Sequence, residues 1–248
     1  MIEVDGLVRE LGDARVLDGL TFSAPAGVVT GFLGPNGAGK TTTMRVLSTL
    51  LRPTEGRVTV GGFDVVKQAD DVRQVIGLVT EEPGLLDRLT GREHLEFSGR
   101  AYGLSPQRVT ERIAEVAELL ALRDNLELRA GKMSKGNRQK IALARALVHD
   151  PPILLLDEPT ANLDVVATAN MRDLLLSPDV RGSKTVLLST HALDEAEEVC
   201  ERVVGIAQGK VVAEGTKEEI AASAGAADFR EAFLGLLRAT TLDAESVA

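Results

Sequence analysis

Cysteine and aromatic residues are scarce in this sequence of 248 residues, which contains one cysteine, one tyrosine and no tryptophan. A lone cysteine cannot form a disulfide within the chain, and low cysteine use is typical of proteins in a reducing compartment. The cysteine, Cys200, lies near the end of an acidic helical run. We therefore expect a small, half-buried side chain and not a reactive thiol.

The sequence also lacks a long hydrophobic run. Its longest apolar segments, such as residues 153–156, are far shorter than the roughly 20 residues that a membrane-spanning helix needs. Acidic residues occur within the first five positions and no apolar segment follows them, so we expect no signal peptide. If the protein works at a membrane, another chain is expected to provide the span.

Basic residues are outnumbered by acidic ones. The 28 lysines and arginines, set against 37 aspartates and glutamates, give a formal net charge of -9. Nucleic-acid affinity comes mainly from lysine and arginine side chains that neutralise phosphates, so we expect no nucleic-acid partner. A bound anionic nucleotide is compatible with this charge, provided that the phosphate site itself is positive.

Short apolar strands alternate with helices along most of the chain. After two strands joined near Gly12, further strands are expected at 28–33, 57–60, 75–79, 153–156, 185–189, 202–207 and 210–214. Apolar strands separated by helices predict a parallel α/β sheet. The length and an ordinary share of hydrophobic residues, 44%, suit one large domain or two closely joined lobes.

A glycine-rich loop carries the strongest local motif. It matches G-x-x-x-x-G-K-[ST], between an expected strand and an expected helix, where backbone N–H groups and the helix dipole favour anions. Lys40 is expected on the β- and γ-phosphates of a nucleotide, and the Thr41 hydroxyl on Mg²⁺. The alternative is a glycine turn with an unrelated lysine. The predicted nucleotide-binding residues are Gly34, Pro35, Asn36, Gly37, Ala38, Gly39, Lys40, Thr41 and Thr42.

A pair of acidic residues follows the strand expected at 153–156. Ligands of parallel sheets bind at the carboxyl ends of the strands, so Asp157 is expected to face the phosphate loop and hold Mg²⁺. Glu158 is expected to polarise the attacking water. Solvated acids at an ordinary strand end are the alternative, but the phosphate loop earlier in the chain favours the catalytic interpretation.

Together these motifs predict a P-loop NTPase: a RecA-like parallel sheet core with N-terminal antiparallel strands and an inserted helical lobe. Helices expected over 92–122 and after Ser134 form that lobe. The predicted single domain comprises a nucleotide-binding core of 1–84 and 151–215, a helical lobe of 85–150, and C-terminal helices and a tail of 216–248.

The C-terminal helices are expected to cover the core, because Phe229 and Phe233 lie on one helical face. Disorder is expected in the tail, 240–248, and in the Ala/Gly-rich stretch 221–227.

Three further motifs complete a known set. Met-Ser-Lys-Gly-Asn at 133–137 precedes a helix that Ser134 would cap, Ala-Asn-Leu-Asp stands at 161–164, and Ser-Thr-His stands at 189–191. In this order, with the phosphate loop and the acidic pair, they resemble the ATP-binding-cassette (ABC) family over nearly the whole chain. The order of five motifs is far more specific than any one of them.

The resemblance implies that two cassettes pack head to tail and that ATP bound to the phosphate loop of one is capped by Ser134 and Gly136 of the other. It implies that Asp164 helps to join the two sites. It also implies that His191 contacts the γ-phosphate and positions the water near Glu158. For His191 a strand-end cap is the alternative. His94 and His149 have no such context and are given no role.

At two positions the sequence departs from the family's usual pattern. Leu11 stands where an aromatic residue usually stacks on adenine, so the base is expected to rest on Leu11 and Val16 with less stacking energy. Glu81 replaces a glutamine that commonly touches Mg²⁺, and its carboxylate is still expected to be a metal ligand.

The segment 133–137, which corresponds to the signature segment of the ABC family, also departs from the family's usual pattern. Lys135 stands there in place of a glycine and would add positive charge near the phosphates. This variant, with the loop that contains Glu81, resembles the branch of exporters that handle sodium ions or antibiotics. The resemblance implies an ATPase with ATP and Mg²⁺ as cofactors, peripheral at the cytoplasmic face of the cell membrane. Its implied partners are an integral membrane permease, docked on residues 81–100, and a second ATP-binding subunit.

Two other classes of function were weighed. A soluble ABC ATPase acting on ribosomes or DNA usually carries two cassettes or a long coiled-coil insertion, and this chain has one motif set. A small-molecule kinase with a phosphate loop would not need Ser134, Asp164 and His191 in this order. ATP-dependent dimerisation separates the kinase from the ABC interpretation.

Overall fold

The computed structural model describes residues 1–161, 163 and 165–245, with side chains as far as residue 240. The strands within these residues are β1 (Ile2–Leu11), β2 (Ala14–Ala24), β3 (Val29–Leu33), β4 (Glu55–Val60), β5 (Phe63–Asp64), β6 (Ile76–Val79), β7 (Ile153–Asp157), β8 (Thr185–Thr190), β9 (Arg202–Ala207) and β10 (Lys210–Gly215). The helices are α1 (Lys40–Leu47), α2 (Ala69–Val75), α3 (Gly91–Ala101), α4 (Pro106–Leu119), α5 (Lys135–Leu147), α6 (Val165–Leu176), α7 (Leu193–Val199), α8 (Lys217–Ala224) and α9 (Phe229–Glu245).

The strands form two sheets. The larger has six strands in the order β10-β9-β3-β8-β7-β6, and its strands are parallel except for β10, which pairs antiparallel with β9. The smaller has four antiparallel strands in the order β2-β1-β4-β5. The predicted parallel core with N-terminal antiparallel strands is therefore confirmed, whereas β5 and α2 were not anticipated.

The phosphate-loop helix α1 lies between the two sheets. Its Met44, Val46 and Leu47 are buried in a core cluster that also contains Phe22 of β2 and Phe32 of β3, whose rings are stacked with centroids 5.1 Å apart. This packing fixes the start of α1 relative to the end of β3. The loop between them is therefore held at both ends by buried apolar contacts.

Three helices, α3, α4 and α5, lie between β6 and β7 in the chain, as the helical middle third predicted. Each begins with a side-chain cap: Thr90 forms a capping box with Glu93, and Ser105 and Ser134 accept from the backbone N–H three residues on. Their buried faces share one core cluster with apolar residues of β7 and β8. The domain boundaries at 84/85 and 150/151 stay a prediction.

The C-terminal helices cover the larger sheet, which confirms their expected role. Phe229 and Phe233 are buried with ring centroids 5.6 Å apart, and Phe233 packs against Gly205 on β9. The expected disorder at 221–227 is wrong, because α8 extends to Ala224: Thr216 and Glu219 form a capping box, and Ile220 is buried. The expected tail at 240–248 overlaps the end of α9, and residues 246–248 lie outside the described part.

Cys200 is buried beneath β3, where a Cβ on Gly31 would lie 2.8 Å from its Sγ. Burial raises the pKa of the Cys200 thiol to about 12. Cys200 is 2% exposed and so more deeply buried than the half-buried position that was expected, and a thiol with a raised pKa forms little thiolate at neutral pH, which agrees with the expected low reactivity. None of the described helices is long and apolar enough to cross a membrane.

The contact between α9 and β9 predicts a stability difference between two phenylalanines. Phe233 is 2% exposed and Phe97 on α3 is 74% exposed. Phe233→Ala should lower the free energy of unfolding by about 3–5 kcal/mol, because it opens a cavity in the core, whereas Phe97→Ala should change it by less than about 0.5 kcal/mol. Urea denaturation followed by circular dichroism measures both, and equal losses would contradict the packing role of α9.

Candidate active site

The phosphate loop connects β3 to α1 and adopts the expected conformation. Gly37 and Gly39 have φ values of 79° and 109°, in the left-handed region that favours glycine. A Cβ at Gly34 would lie 2.1 Å from the backbone oxygen of Ile206, so the loop passes too close to β9 for a side chain there. The glycines therefore permit a loop geometry that other residues would not allow.

Lys40 is folded back over this loop. Its ammonium donates to the backbone oxygens of Gly34 at 2.7 Å and Pro35 at 3.2 Å, and the residue is only 6% exposed. Glu158 Oε1 lies 3.3 Å from the same Nζ. A buried ammonium needs such anionic or carbonyl partners, so the pocket favours a phosphate oxygen at this position.

The two acids at the end of β7 are both buried but face different partners. Asp157 Oδ1 accepts from Ser189 Oγ of the neighbouring strand β8 at 2.8 Å. Glu158 has a φ of 48°, unusual for a residue with a side chain, and its N–H donates to the Ser189 carbonyl at 3.0 Å. Backbone strain of this kind collects at functional sites, and here it turns Glu158 away from the strand direction.

Glu158 joins the three predicted catalytic residues into one cluster. While Oε1 faces Lys40, Oε2 lies 2.9 Å from His191 Nδ1. The side chain of His191 is 57% exposed, so it forms the open side of the cluster. The carboxylate is thus held between a buried cation and an imidazole that reaches solvent.

These residues line one cavity. Its described lining consists of Val16, Asn36, Gly37, Gly39, Lys40, Thr41, Thr42, Glu81, Glu158, Ala161 and His191. Val16 is one of the lining residues, and its predicted contact with the base stays a prediction. Leu11 lies at the end of β1, is 41% exposed and is not among these residues, so its predicted contact with the base stays a prediction.

The predicted metal ligands meet beside this cavity. Thr41, Glu81 and Asp157 line one adjoining cleft. Their donors are a hydroxyl and two carboxylates, which are the oxygen ligands that Mg²⁺ prefers. No group of three His, Cys, Asp or Glu side chains forms a metal cage in the described part of the chain. The set suits an ion that takes its remaining ligands from phosphate and water.

The signature segment lies outside this cavity. Ser134 caps α5 by accepting from the Asn137 N–H at 3.2 Å, and both Ser134 and Lys135 are exposed. Gly136 is half-buried, and a Cβ there would lie 3.2 Å from Ala167 of α6. None of these residues is among the described lining of the chain's own phosphate cavity. The predicted Asp164 lies outside the described residues.

The contacts of two residues in the site were not predicted from the sequence. Ser189 was noticed only as a member of the Ser-Thr-His motif, although the parallel register of β7 with β8 places it opposite Asp157. Glu195, in the first turn of α7, accepts from Thr160 Oγ1 at 2.9 Å. Burial, the largest cause, and the Glu158 charge raise the pKa of Glu195. An acidic helix gave no signal that one of its carboxyls is shielded.

The other histidines lie away from the cavity, in agreement with their having been given no role. His94 accepts from the Leu86 N–H at 2.9 Å and shares a hydrogen bond with the Thr90 carbonyl. His149 stacks on Tyr102 with centroids 3.6 Å apart, and burial lowers the pKa of His149. The chain's one tyrosine is therefore occupied at a distance from the nucleotide site.

Comparison with known proteins shows to which family the chain belongs. The model of the ABC transporter family matches residues 17–161, from β2 through the acidic pair. The chain belongs to the ABC transporter family. It is 42% identical to the ABC transporter ATP-binding protein NatA of Bacillus subtilis (strain 168), over 88% of this chain and 89% of that protein. It is 44% identical to the daunorubicin resistance ATP-binding protein DrrA3 of Streptomyces coeruleorubidus, over 90% and 71%.

Solved structures show the same fold. An ATP-binding subunit of an ABC transporter superimposes with a TM-score of 0.87 at 30% identity, over 95% of this chain and 99% of that one. A dimeric ATP-binding cassette in a post-hydrolysis state, bound to ADP and Pi, has a TM-score of 0.78 at 26% identity, over 87% and 98%. The ABC protein described here binds and hydrolyses ATP as the ATP-binding subunit of a transporter.

The aliphatic base site predicts weak selection between purines. Stacking on an aromatic ring contributes about 0.5–1.5 kcal/mol beyond buried area, and none of the described lining residues is a phenylalanine or tyrosine. ATP and GTP should therefore bind within about tenfold of each other. Leu11→Tyr should tighten ATP binding about threefold to tenfold.

Fluorescent nucleotide displacement measures these affinities. Leu128 is a suitable control position, because it is a leucine of the same 41% exposure in the segment between α4 and α5, where its carbonyl accepts from the Gly91 N–H at 3.1 Å. Leu128→Tyr should leave ATP affinity unchanged. A strong preference of the unmodified protein for ATP over GTP would contradict an aliphatic base site.

Proposed function

We propose that two copies of this chain close head to tail around ATP and that hydrolysis powers export through a separate integral membrane permease at the cytoplasmic face of the cell membrane. The Lys40–Glu158–His191 cluster carries this proposal. Relatives named for drug resistance, and a Nod factor export protein of Burkholderia lata at 39% identity over 86% of this chain and 70% of that protein, support the exporter branch.

The cluster has the residue types that ATP hydrolysis needs. The Lys40 ammonium, now 3.3 Å from Glu158, can take a phosphate oxygen as its partner and so free the carboxylate. Glu158 then accepts the proton of an attacking water. His191, hydrogen-bonded to Glu158 at Oε2, keeps that carboxylate aimed at the water and lies at the open side, where the γ-phosphate would be.

Magnesium fits the oxygen donors beside the cavity. Thr41, Glu81 and Asp157 would hold the ion, which when bound neutralises phosphate charge and polarises the transferred group. Ser189 fixes Asp157 by donating to Oδ1, and Oδ2 would be the oxygen that contacts the metal or its water.

A second copy would complete the site. The N-terminus of α5 is exposed at Ser134, with its dipole and the charge of Lys135 directed to solvent. Such a helix start favours anions, and a phosphate bound in another copy is the anion that the proposal assigns to it. Gly136 would lie beside Ser134, and Asp164 is proposed to join the two sites. The dimeric cassette among the structural neighbours supports this arrangement.

The permease is proposed to dock on residues 81–100. Leu86 and Phe97 in this segment are 66% and 74% exposed, and Leu50, which lines a cleft together with Glu81 and Gly84, is 62% exposed. Exposed apolar side chains of this size are typical of protein contacts.

The proposed docking segment is hydrogen-bonded to α5, the helix that begins after Ser134. Arg145 of α5 donates to the Pro83 carbonyl at 2.9 Å, and Arg138 donates to Asp87 Oδ1 at 2.7 Å. A movement of α5 on nucleotide binding would therefore displace the loop that follows Glu81. This contact gives a physical route from the nucleotide to the permease.

Replacing the proposed base provides the main test. Glu158→Gln should keep ATP affinity and lower the hydrolysis rate by at least about a hundredfold, because the amide cannot accept the proton. The variant should also form a stable dimer when ATP is added. Phosphate release and size-exclusion chromatography measure the two effects.

Lys40→Ala is the matched control for binding. It should lose ATP affinity as well as activity, because the buried ammonium is the phosphate partner. A Glu158→Gln protein that hydrolyses ATP at the normal rate would overturn the proposed base. One that binds ATP but stays monomeric would favour a kinase-like use of the loop.

We expect the metal site to tolerate replacement of the Glu81 carboxylate by an amide. Glu81→Gln keeps an oxygen ligand and removes a negative charge close to the γ-phosphate site, so ATPase activity should stay within about tenfold, or about 1.4 kcal/mol of barrier. Steady-state rates at varied Mg²⁺ measure this effect. Complete loss of activity would show that Glu81 has another role.

A further inference from the structure

Glu195 is a shielded carboxyl next to the catalytic cluster that none of the proposed steps uses. Its Oε1 accepts from Thr160 Oγ1 at 2.9 Å. Its other oxygen, Oε2, is buried without a hydrogen-bond partner among the described residues. A carboxyl in such surroundings is costly to keep, so its position needs an explanation.

The hydrogen bond from Thr160 to Glu195 joins the two segments that carry the catalytic pair. Thr160 follows Glu158 by two residues, and Glu195 follows His191 by four, in the first turn of α7. The turn between β8 and α7 is held by Thr190, the last residue of β8, whose Oγ1 accepts from the Ala192 N–H at 3.0 Å. The Glu195 carboxyl therefore connects the loop after β7 with the helix after β8.

The helix that carries Glu195 is anchored from its other side. Arg230 of α9 pairs with Asp194 and with Glu197, the latter at 2.6 Å, and Lys217 donates to the Glu197 carbonyl. Ala196 and Val199 of α7 are buried in the core. The C-terminal helices thus fix α7, and α7 presents Glu195 to Thr160 from a rigid base.

We propose that Glu195 is a positioning residue for ATP hydrolysis, which holds the loop after Glu158 against α7, the helix that follows His191, through the hydrogen bond from Thr160. The proposal rests on the proposed roles of Glu158 and His191. The pairing of β7 with β8 ends at Asp157 and Ser189, with one further backbone hydrogen bond from the Glu158 N–H to the Ser189 carbonyl. The bond from Thr160 to Glu195 adds a link beyond it that keeps Glu158 Oε2 in contact with His191 Nδ1. Small displacements of catalytic groups cause large losses of rate.

Two substitutions break the link from opposite sides. Glu195→Met removes both accepting oxygens at similar side-chain length, and Thr160→Val removes the donating hydroxyl at similar volume. Each should lower kcat about tenfold to a hundredfold and leave the KM for ATP within about threefold, because the phosphate loop is untouched. The double variant should be little worse than either single one, since both remove the same interaction.

Conservative variants should rescue the rate. Glu195→Gln keeps an oxygen that accepts from Thr160, and Thr160→Ser keeps the hydroxyl, so both should retain kcat within about threefold. Glu198→Met is the control on the same helix: Glu198 is exposed and pairs only at the surface with Arg172 at 3.1 Å among its described contacts. It should behave as the unmodified protein.

Steady-state ATPase assays, ATP affinity and melting temperature of the full chain distinguish the outcomes. Loss of kcat at unchanged KM, with rescue by Gln and Ser, supports the proposal. Equal loss of kcat, affinity and melting temperature, without rescue, would overturn it in favour of a purely structural role. Normal kcat in both Glu195→Met and Thr160→Val would also overturn it. If Glu158→Gln itself retains full activity, the proposed function has failed instead.

Discussion

The buried ammonium of Lys40 is the constraint on which the site depends. It is held among two backbone carbonyls and the Glu158 carboxylate, at 6% exposure. A charge in this position cannot be left without a partner, so the loop geometry, the strained Glu158 and the imidazole of His191 are linked through it. In the protein as described, Glu158 supplies the negative charge. A triphosphate supplies it in the proposed working state, and that exchange would release the base for catalysis.

The parallel sheet makes this contact possible. β3 ends at the phosphate loop, β7 ends at Asp157 and β8 ends beside His191, and these strands are neighbours with their carboxyl ends at one edge. Antiparallel strands would have placed the same side chains at opposite edges. The buried apolar strands and the packing of α1 between the sheets therefore serve the site, because they hold three distant chain segments at a fixed spacing.

The start of α5 supports the proposed partner copy. Ser134 is exposed there and is not among the described residues that line the chain's own cavity, so the proposed dimer would pair this positive helix end with the phosphate site of a second copy. Glu195 is proposed to act within one copy, by holding the loop after Glu158 against the helix that follows His191. The proposed closing of the dimer and the proposed alignment of Glu158 are therefore two separate features.

Local chemistry in the sequence was enough to predict the phosphate loop, the caps of the helices and the alternation of strands, because each depends on residues that are close in the chain. Glu158 was predicted as a base from its place after a strand, but its contacts with Lys40 and His191 arise only when β3, β7 and β8 align. Ser189 and Glu195 were missed because their partners are distant in sequence and because a shielded acid in an acidic helix looks like a solvated one. The order of motifs thus determined the family and the reaction, whereas only the tertiary structure decided which carboxylates are buried, since burial depends on what the rest of the chain packs around them.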